Sequence, residues 1–507
     1  MSAQTIKTVT IVGGGTAGWM TAAALVRALP PETRITLIES EEIGTIGVGE
    51  ATVPSINLFN TLLGIDVPDF MRACEATFKL GIEFADWGGL GEQYMHPFTN
   101  FGPDVANPNF PRVWMHHARE RLAAGEKLHL DDYNLGCLAA RQGRFVLPQK
   151  GHAPRIGPLG YAFHIDAILY ARYLRAYAEA RGVTRVEGRV VTATQDSETG
   201  DIRSVTMDSG AVIPGDVFVD CSGFAGLLIE KTLKAGYEDW SHYLPCNRAI
   251  AVPSQNVRPP APYTRATADA AGWRWRIPLQ HRTGNGYVYA SDFISDDAAE
   301  QRLLEALEGP PLATPRRLQF VTGKRRKVWD RNCIAIGLSS GFLEPLESTS
   351  IYMIQTGIVR LLGLLMHTGL DPSQADAFNR IVADEFEGIR DFIILHYKMT
   401  QRDDTPFWRH CREMKVPDKV AENMEMFARS GRVSIPKDHP FPLQGWMAVM
   451  LGQGPLPEAL EPLPANVPLS ALPGHMREVK VALEQTVSAM PSQAEFLDVL
   501  LKVRAAG

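Results

Sequence analysis

Thr8-Val-Thr-Ile-Val-Gly13-Gly14-Gly15-Thr16-Ala17-Gly18, then an Ala- and Leu-rich run to residue 29, then Arg34-Ile-Thr-Leu-Ile-Glu39, is the stretch that sets the fold class. Residues 8–13 are β-branched and end in glycines, which predicts a buried strand. Residues 17–29 predict a helix and 34–39 a second strand, so the chain opens on a βαβ unit. Gly13, Gly15 and Gly18 form a G-x-G-x-x-G, a weak signal alone. Here it sits between a strand and a helix, with Glu39 ending the next strand 21 residues after Gly18. The glycines allow a tight turn and close backbone approach. The helix start, with Thr16 and Ala17, receives a pyrophosphate, and Glu39 accepts from ribose hydroxyls. The bland alternative is a tight strand–helix turn in a nucleotide-free α/β domain. Two later segments, Asp216–Phe224 and Ile334–Gly341, also read as strands running into glycine turns, the second at Gly337. Several distant segments suit a long cofactor, which favours FAD over a nicotinamide nucleotide. No second G-x-G-x-x-G is apparent.

Composition narrows the classes. The chain has 507 residues, 45% hydrophobic and 21% charged, with net charge −6. At roughly 150 residues per domain, length alone predicts about three domains. The balance excludes a mostly disordered or collagen-like chain. Mild acidity (pI ≈ 6.1) argues against a dedicated nucleic-acid binder. Cys74, Cys137, Cys221, Cys246, Cys333 and Cys411 are too sparse for a disulfide framework and form no C-x-x-C, so no metal or redox pair is signalled. No signal peptide is visible. The most apolar stretch, Ile351–Leu370, holds Gln355, Arg360 and His367 and predicts a buried helix, not a membrane span. A reducing cytoplasm is the expected compartment.

Residues 78–84 alternate, with Phe78, Leu80, Ile82 and Phe84 on one face and Lys79, Gly81 and Glu83 on the other. That is the pattern of one half-buried strand. Stretches 95–115 and 145–162 predict loops, and 164–181 a helix. Strands are expected near 184–194, 202–207 and 211–220, the first two hairpin-like around Glu198–Asp201. The proline-rich run 252–264 predicts an extended crossing. From 345 onward the pattern is mainly helical, with Pro-rich breaks at 435–442 and 455–473.

Five runs together carry a resemblance: Gly13/Gly15/Gly18; Gly47-Val-Gly49-Glu50-Ala51-Thr-Val-Pro54; Phe78-Lys79; Gly272-Trp273-Arg-Trp275-Arg-Ile277-Pro278; and Glu344-Pro345-Leu-Glu347-Ser348-Thr349. The chain resembles flavin-dependent halogenases of the tryptophan halogenase family over most of its length. The W-x-W-x-I-P run separates that family from related flavin monooxygenases. The resemblance implies an α/β fold: an FAD-binding Rossmann-like module of the flavin monooxygenase-like, two-dinucleotide-binding-domain flavoprotein type. An additional β-sheet and a largely α-helical C-terminal substrate region complete it. Flavin segments recur at 13–54, 216–224 and 334–350. The module is therefore expected to be discontinuous over 1–350, with substrate-facing loops at 79–115 and 252–290. Residues 351–507 would form the helical region that completes the pocket.

The implied activity uses FADH2, O2 and chloride or bromide. Hypohalous acid made at the flavin travels through the interior to an electron-rich aromatic, where electrophilic substitution follows. Lys79 matches the family's essential lysine. Its ammonium can donate to hypohalous acid, and a desolvated amine can form a haloamine; burial lowers the pKa. Read from the residues alone, Lys79 faces solvent. Glu347 matches the active-site glutamate, which would orient Lys79, stabilise the arenium intermediate and take its proton. Read alone, it is a helix-start glutamate on the macrodipole. Neither residue is expected to fill core volume.

Ser348-Thr349-Ser350 precede a long helical pattern, where free N–H groups make an anion site. The resemblance places halide on the amides of Thr349 and Ser350. Better-known tryptophan halogenases usually carry glycine at the Ser350 position. Gly49, Glu50, Ala51, Gly337 and Ser348 would contact the flavin, with the 47–54 strap over the isoalloxazine. Trp273 and Trp275 share one strand face. They read as core packing, or by resemblance as a wall that keeps substrate off the flavin.

His96 and Phe98 match ring-stacking positions, and Trp446 would complete the aromatic box. Tryptophan-specific enzymes carry a C-terminal tyrosine pair and a glutamate that grip the amino acid. The corresponding stretch, His439–Gln453, has neither. A buried zwitterion without partners is expensive, so indole or a substituted indole is expected to outperform free tryptophan. A carrier-tethered pyrrole or phenol stays open, as does a homodimer. The missing nicotinamide site implies a separate NAD(P)H-dependent flavin reductase. No metal, nucleic-acid or membrane partner is expected. Two other functions compete: a flavin-dependent aromatic hydroxylase of the same fold, which has no need of Lys79, and a non-catalytic flavin- or nucleotide-binding protein.

Overall fold

The computed structural model describes residues 6–42, 49–103, 110–148, 159–368, 371–464 and 467–502. β1 (Thr8–Val12) and β2 (Arg34–Glu39) flank α1 (Thr16–Ala28). They lie inside a six-stranded sheet ordered Trp329–Asp330, Cys333–Ala335, Val217–Asp220, β1, β2, Thr184–Glu187. All its pairings are parallel except the edge pair Trp329–Asp330 with Cys333–Ala335. Strands covered on both faces read as continuous apolar runs, and β1 does so. α1 buries every residue from Gly18 to Leu25, which small side chains permit. It packs against the helices Ala167–Glu179 and Thr349–Thr368.

A second, seven-stranded sheet runs Arg316–Gln319, Arg248–Ser254, Thr283–Tyr289, Gly272–Pro278, Thr264–Asp269, β5 (Gly81–Ala85), β6 (Gln93–Pro97). A small sheet of β3 (Gly49–Ala51), β7 (Ala162–Asp166) and β4 (Thr77–Lys79), antiparallel throughout, bridges the strap to this region. Beyond residue 345 the described elements are helices, from Thr349–Thr368 to Gln493–Lys502, joined by irregular stretches. A large apolar core draws on residues from Val9 to Leu497, with two smaller apolar clusters beside it. All six cysteines are buried and free. No described helix is long and apolar enough to cross a membrane.

Several sequence expectations change. Residues 78–84 are two strands in two sheets, broken at Leu80, whose N–H donates to Pro262 O (2.8 Å). Both faces are covered: Lys79 is 0% and Glu83 4% exposed. The stretch 95–115 contains the end of β6 and the start of the helix Phe110–Ala123. The expected helix 164–181 begins only at Ala167. Before it runs β7, whose last residue, Asp166, caps the helix by accepting from the N–H groups of Ile168 (3.0 Å) and Leu169 (3.2 Å). The stretch 184–194 splits at Gly188 into strands of different sheets, and 211–220 splits before Val217. The hairpin around Glu198–Asp201 joins Val190–Gln195 to Ile202–Met207 in antiparallel pairing.

Candidate active site

The glycine turn between β1 and α1 is shaped by contacts a side chain cannot share. Gly13 has φ +112°, and a Cβ there would lie 2.2 Å from the Cys221 carbonyl oxygen. At Gly18 it would lie 1.8 Å from the Gly13 carbonyl oxygen, whereas at Gly15 it would meet nothing within 4 Å. Gly15 therefore leaves open space at the start of α1, which no side chain caps. First-turn amides, here those of Thr16 and Ala17, lack intrahelical partners and present donors to an anion. Glu39 reaches over Gly14 and accepts from Trp19 Nε1 (3.2 Å), Arg185 Nε (2.5 Å) and Arg175 Nη1 (3.4 Å). Gly337 closes on the same turn, so near that a Cβ would sit 2.7 Å from that of Ala17. This open, donor-lined cradle fits the pyrophosphate of FAD.

The small sheet positions Lys79. Its Nζ donates to Thr52 O (3.1 Å) and Ser348 Oγ (2.8 Å) and lies 5.2 Å from the centre of the Phe98 ring. Burial lowers its pKa to about 7, with Glu347 opposing. Lys79 thus does not face solvent, and it occupies core space. The strap reaches it through the Thr52 carbonyl. Gly47 and Val48 lie outside the described residues. Gly49, Glu50 and Ala51 pair with Asp166, Ile165 and His164, and burial pushes the Glu50 carboxyl up to about 7. Next to the lysine strand, His164 is wedged between Thr77 Oγ1 and Thr264 Oγ1, both at 3.0 Å. Thr77 donates its hydroxyl proton to Pro278 O. His164 Nδ1 therefore donates to Thr77 and Nε2 accepts from Thr264, which is a structural role.

Glu347 closes the 3-10 turn Pro345–Glu347, and the helix starts two residues later at Thr349. It is therefore not the helix-start glutamate of the bland reading. Only 2% exposed, it lies in the core as Lys79 does. His96 Nδ1 lies 3.0 and 2.8 Å from its two oxygens, and His396 Nε2 lies 2.8 Å from Oε1. His396 Nδ1 donates to Phe392 O (2.8 Å). A carbonyl only accepts, so the proton at Nδ1 is fixed, while Nε2 meets Glu347 as a close polar contact without hydrogen-bond geometry. Burial raises the Glu347 pKa, but the two histidines outweigh it and hold it at about 2. Ser348 follows in the left-handed conformation, φ 59°. Its hydroxyl accepts from Lys79 Nζ. Thr349 Oγ1 is buried without a hydrogen-bond partner, and Ser350 is half-buried.

The aromatic residues divide into two groups. His96 packs edge-on to Phe392 (5.5 Å) and near Phe441 (6.0 Å), and Phe392 also meets Trp446 (5.6 Å). Gly445 makes room for His96: a Cβ there would lie 2.7 Å from Nε2. The His96 ring edge is therefore committed to Glu347, beyond the stacking role expected of it. Trp273 and Trp275 form their own pair at 6.2 Å, and Trp273 Nε1 donates to Glu344 Oε1 (2.9 Å). Sequence reasoning did not single out Thr52, His396, Phe392 or Phe441. His396 is masked inside a 27-residue helix, and Thr52 acts through its backbone, which leaves no trace in residue type.

The tryptophan halogenase family model matches residues 8–468. A 7-chloro-L-tryptophan 6-halogenase from Kutzneria sp. (strain 744) is 36% identical, covering 96% of this chain and 98% of its own. A solved flavin-dependent halogenase from Xanthomonas campestris superimposes with TM-score 0.93 at 45% identity, covering 99% of this chain and 100% of that one. BrvH, a flavin-dependent halogenase from Brevundimonas sp. BAL3, gives 0.92 at 44%, with 98% and 99% covered. With the glycine cradle, the buried lysine and the paired tryptophans in place, the chain belongs to the tryptophan halogenase family of flavin-dependent halogenases.

Proposed function

We propose that this enzyme chlorinates or brominates a small, uncharged aromatic, an indole or substituted indole, by delivering hypohalous acid at Lys79. The carrying observation is a buried Lys79 tethered by Thr52 and Ser348, with Glu347 held ionised between His96 and His396. FAD, held by the Gly13–Gly18 cradle, Gly49–Ala51 and the Gly337 turn, supplies the O2-dependent oxidation of halide when bound and reduced. The first-turn amides of Thr349 and Ser350 hold the halide. Lys79 donates to the oxygen of hypohalous acid. The ring's electron pair forms the C–X bond, the X–O bond breaks, and oxygen leaves as water with the lysine proton. Glu347 stabilises the cationic ring, takes its proton and passes it to the neutral Lys79 amine, which restores both groups. An arenium ion is a strong acid, so a weak base suffices.

The preference for an uncharged substrate is supported by the aromatic cluster Phe392, Phe441, Trp446 and His96, where the Glu347 carboxylate is already paired with two histidines. The enzyme is tested with a flavin reductase, FAD, NADH, O2 and bromide or chloride, offered indole and tryptophan separately and read by mass spectrometry. Halogenated indole in excess is expected. Faster turnover of tryptophan overturns the substrate half. An oxygenated product that persists in Lys79→Ala without halide overturns the delivery half in favour of hydroxylation.

A further inference from the structure

Glu344 has no part in the chemistry at Lys79, yet it is 0% exposed. Its Oε1 accepts from Trp273 Nε1 (2.9 Å) and from the Tyr397 hydroxyl (2.6 Å), while Oε2 is buried without a hydrogen-bond partner. The Tyr397 oxygen, having donated its proton, lies 3.4 Å from Cys246 Sγ and can accept from it. Trp273 belongs to the seven-stranded sheet and Tyr397 to the helix Pro372–Lys398. The residue before Tyr397, His396, contacts Glu347. Two consecutive residues of one helix therefore grip both ends of the turn Glu344–Glu347, and one carboxylate oxygen ties that turn to the tryptophan pair. An unpaired carboxylate oxygen in the core is costly. Burial pushes the Glu344 carboxyl up to about 7. Such a residue is a poor choice for packing alone.

We infer that Glu344 is a positioning residue: it locks the Trp273 indole against the turn that carries Glu347 and Ser348, so that oxidant is confined to the route ending at Lys79. The inference rests on the halogenation reading. Its variants are Glu344→Gln, which keeps an acceptor oxygen, Glu344→Leu, which removes it, and Trp273→Phe, which removes only the donor side.

In flavin-free protein labelled at tryptophan with 15N, the Trp273 indole N–H resonance is assigned by its loss in Trp273→Phe. It should move upfield in Glu344→Leu and hold its position in Glu344→Gln. In the full system with reductase, FAD, bromide and indole, free methionine traps escaped oxidant as sulfoxide. The ratio of brominated indole to sulfoxide should fall by about tenfold in Glu344→Leu and Trp273→Phe and stay near wild type in Glu344→Gln. Should Glu344→Leu fail to fold, Trp273→Phe against Glu344→Gln carries the comparison. If wild type brominates indole and both donor- and acceptor-deleted variants keep its ratio, the inference alone falls. If wild type makes no halogenated indole, the halogenation reading of this substrate falls and the inference with it.

Discussion

Lys79 and Ser348, 269 positions apart, are joined by a 2.8 Å hydrogen bond. Ser348 holds φ 59°, a conformation that costs a non-glycine residue about 1 kcal/mol. Its hydroxyl is one of two oxygens that accept from the buried amine. Ser348→Ala and Ser348→Gly separate backbone from hydroxyl. Both should slow halogenation by about tenfold, the worth of one hydrogen bond to a charged group. Only glycine relieves the backbone, so Ser348→Gly should be the more stable of the two by about 1 kcal/mol. Wild-type turnover in both variants would remove this contact from the mechanism.

Lys79 titrates at about 7 in the fold against 10.5 ordinarily. Between those values the unfolded chain binds a proton at Lys79 that the native state does not, so stability rises with pH across that window. Lys79→Met removes the linkage while filling similar space. The variant should melt above wild type at pH 7, by on the order of 4 kcal/mol, and the gap should close as pH climbs toward 10. Parallel melting profiles from pH 7 to 10 would mean that Lys79 stays charged throughout.

Glu347 shifts in the opposite sense, from 4.5 to about 2. A depressed carboxylate contributes stability that is present above 4.5 and lost as pH falls toward 2. Glu347→Gln leaves two histidines facing an amide. It should cost about 3 kcal/mol near neutrality and cut halogenation by about a hundredfold or more. The stability difference from wild type should disappear in acid. The expectation that a change here spares folding therefore does not survive the burial of the site. Thermal melts at pH 3 and 7 beside product assays check both halves, and a stability gap independent of pH contradicts the ionised pair.

The dinucleotide fingerprint was legible because its physics is local: three glycines, one strand, one helix and an acid at fixed spacing. The surroundings of Lys79 were not. Alternation over 78–84 implied one strand with a wet face, but the chain breaks at Leu80 and sends its halves into different sheets. The cover over Lys79 comes from Thr52, Phe98 and Ser348, far apart in sequence, and periodicity carries no information about such partners. The resemblance supplied Lys79 and Glu347 as residues. It supplied neither the two-histidine clamp, assembled from positions 96, 347 and 396, nor the second job of His96. Asp166 shows a smaller failure: the helix expected from 164 ran through the cap residue into a buried strand, because His164 and Ile165 suit either period.

Gly15 and Gly18 make opposite demands on the same loop. Gly15 has φ −73° and ψ −171°, accessible to any residue, and open space beyond it. Gly15→Ala should therefore fold within about 1 kcal/mol of wild type. Its methyl would occupy the side from which a pyrophosphate approaches, so FAD affinity should fall by about tenfold. Gly18→Ala places a methyl 1.8 Å from a backbone carbonyl oxygen, and strand and helix must part to admit it. Stability should drop by about 3 kcal/mol. Melting of the flavin-free variants and flavin-fluorescence titrations distinguish the two. Wild-type FAD affinity in Gly15→Ala would place the phosphates elsewhere, and a wild-type melting temperature in Gly18→Ala would show that the turn can open without cost.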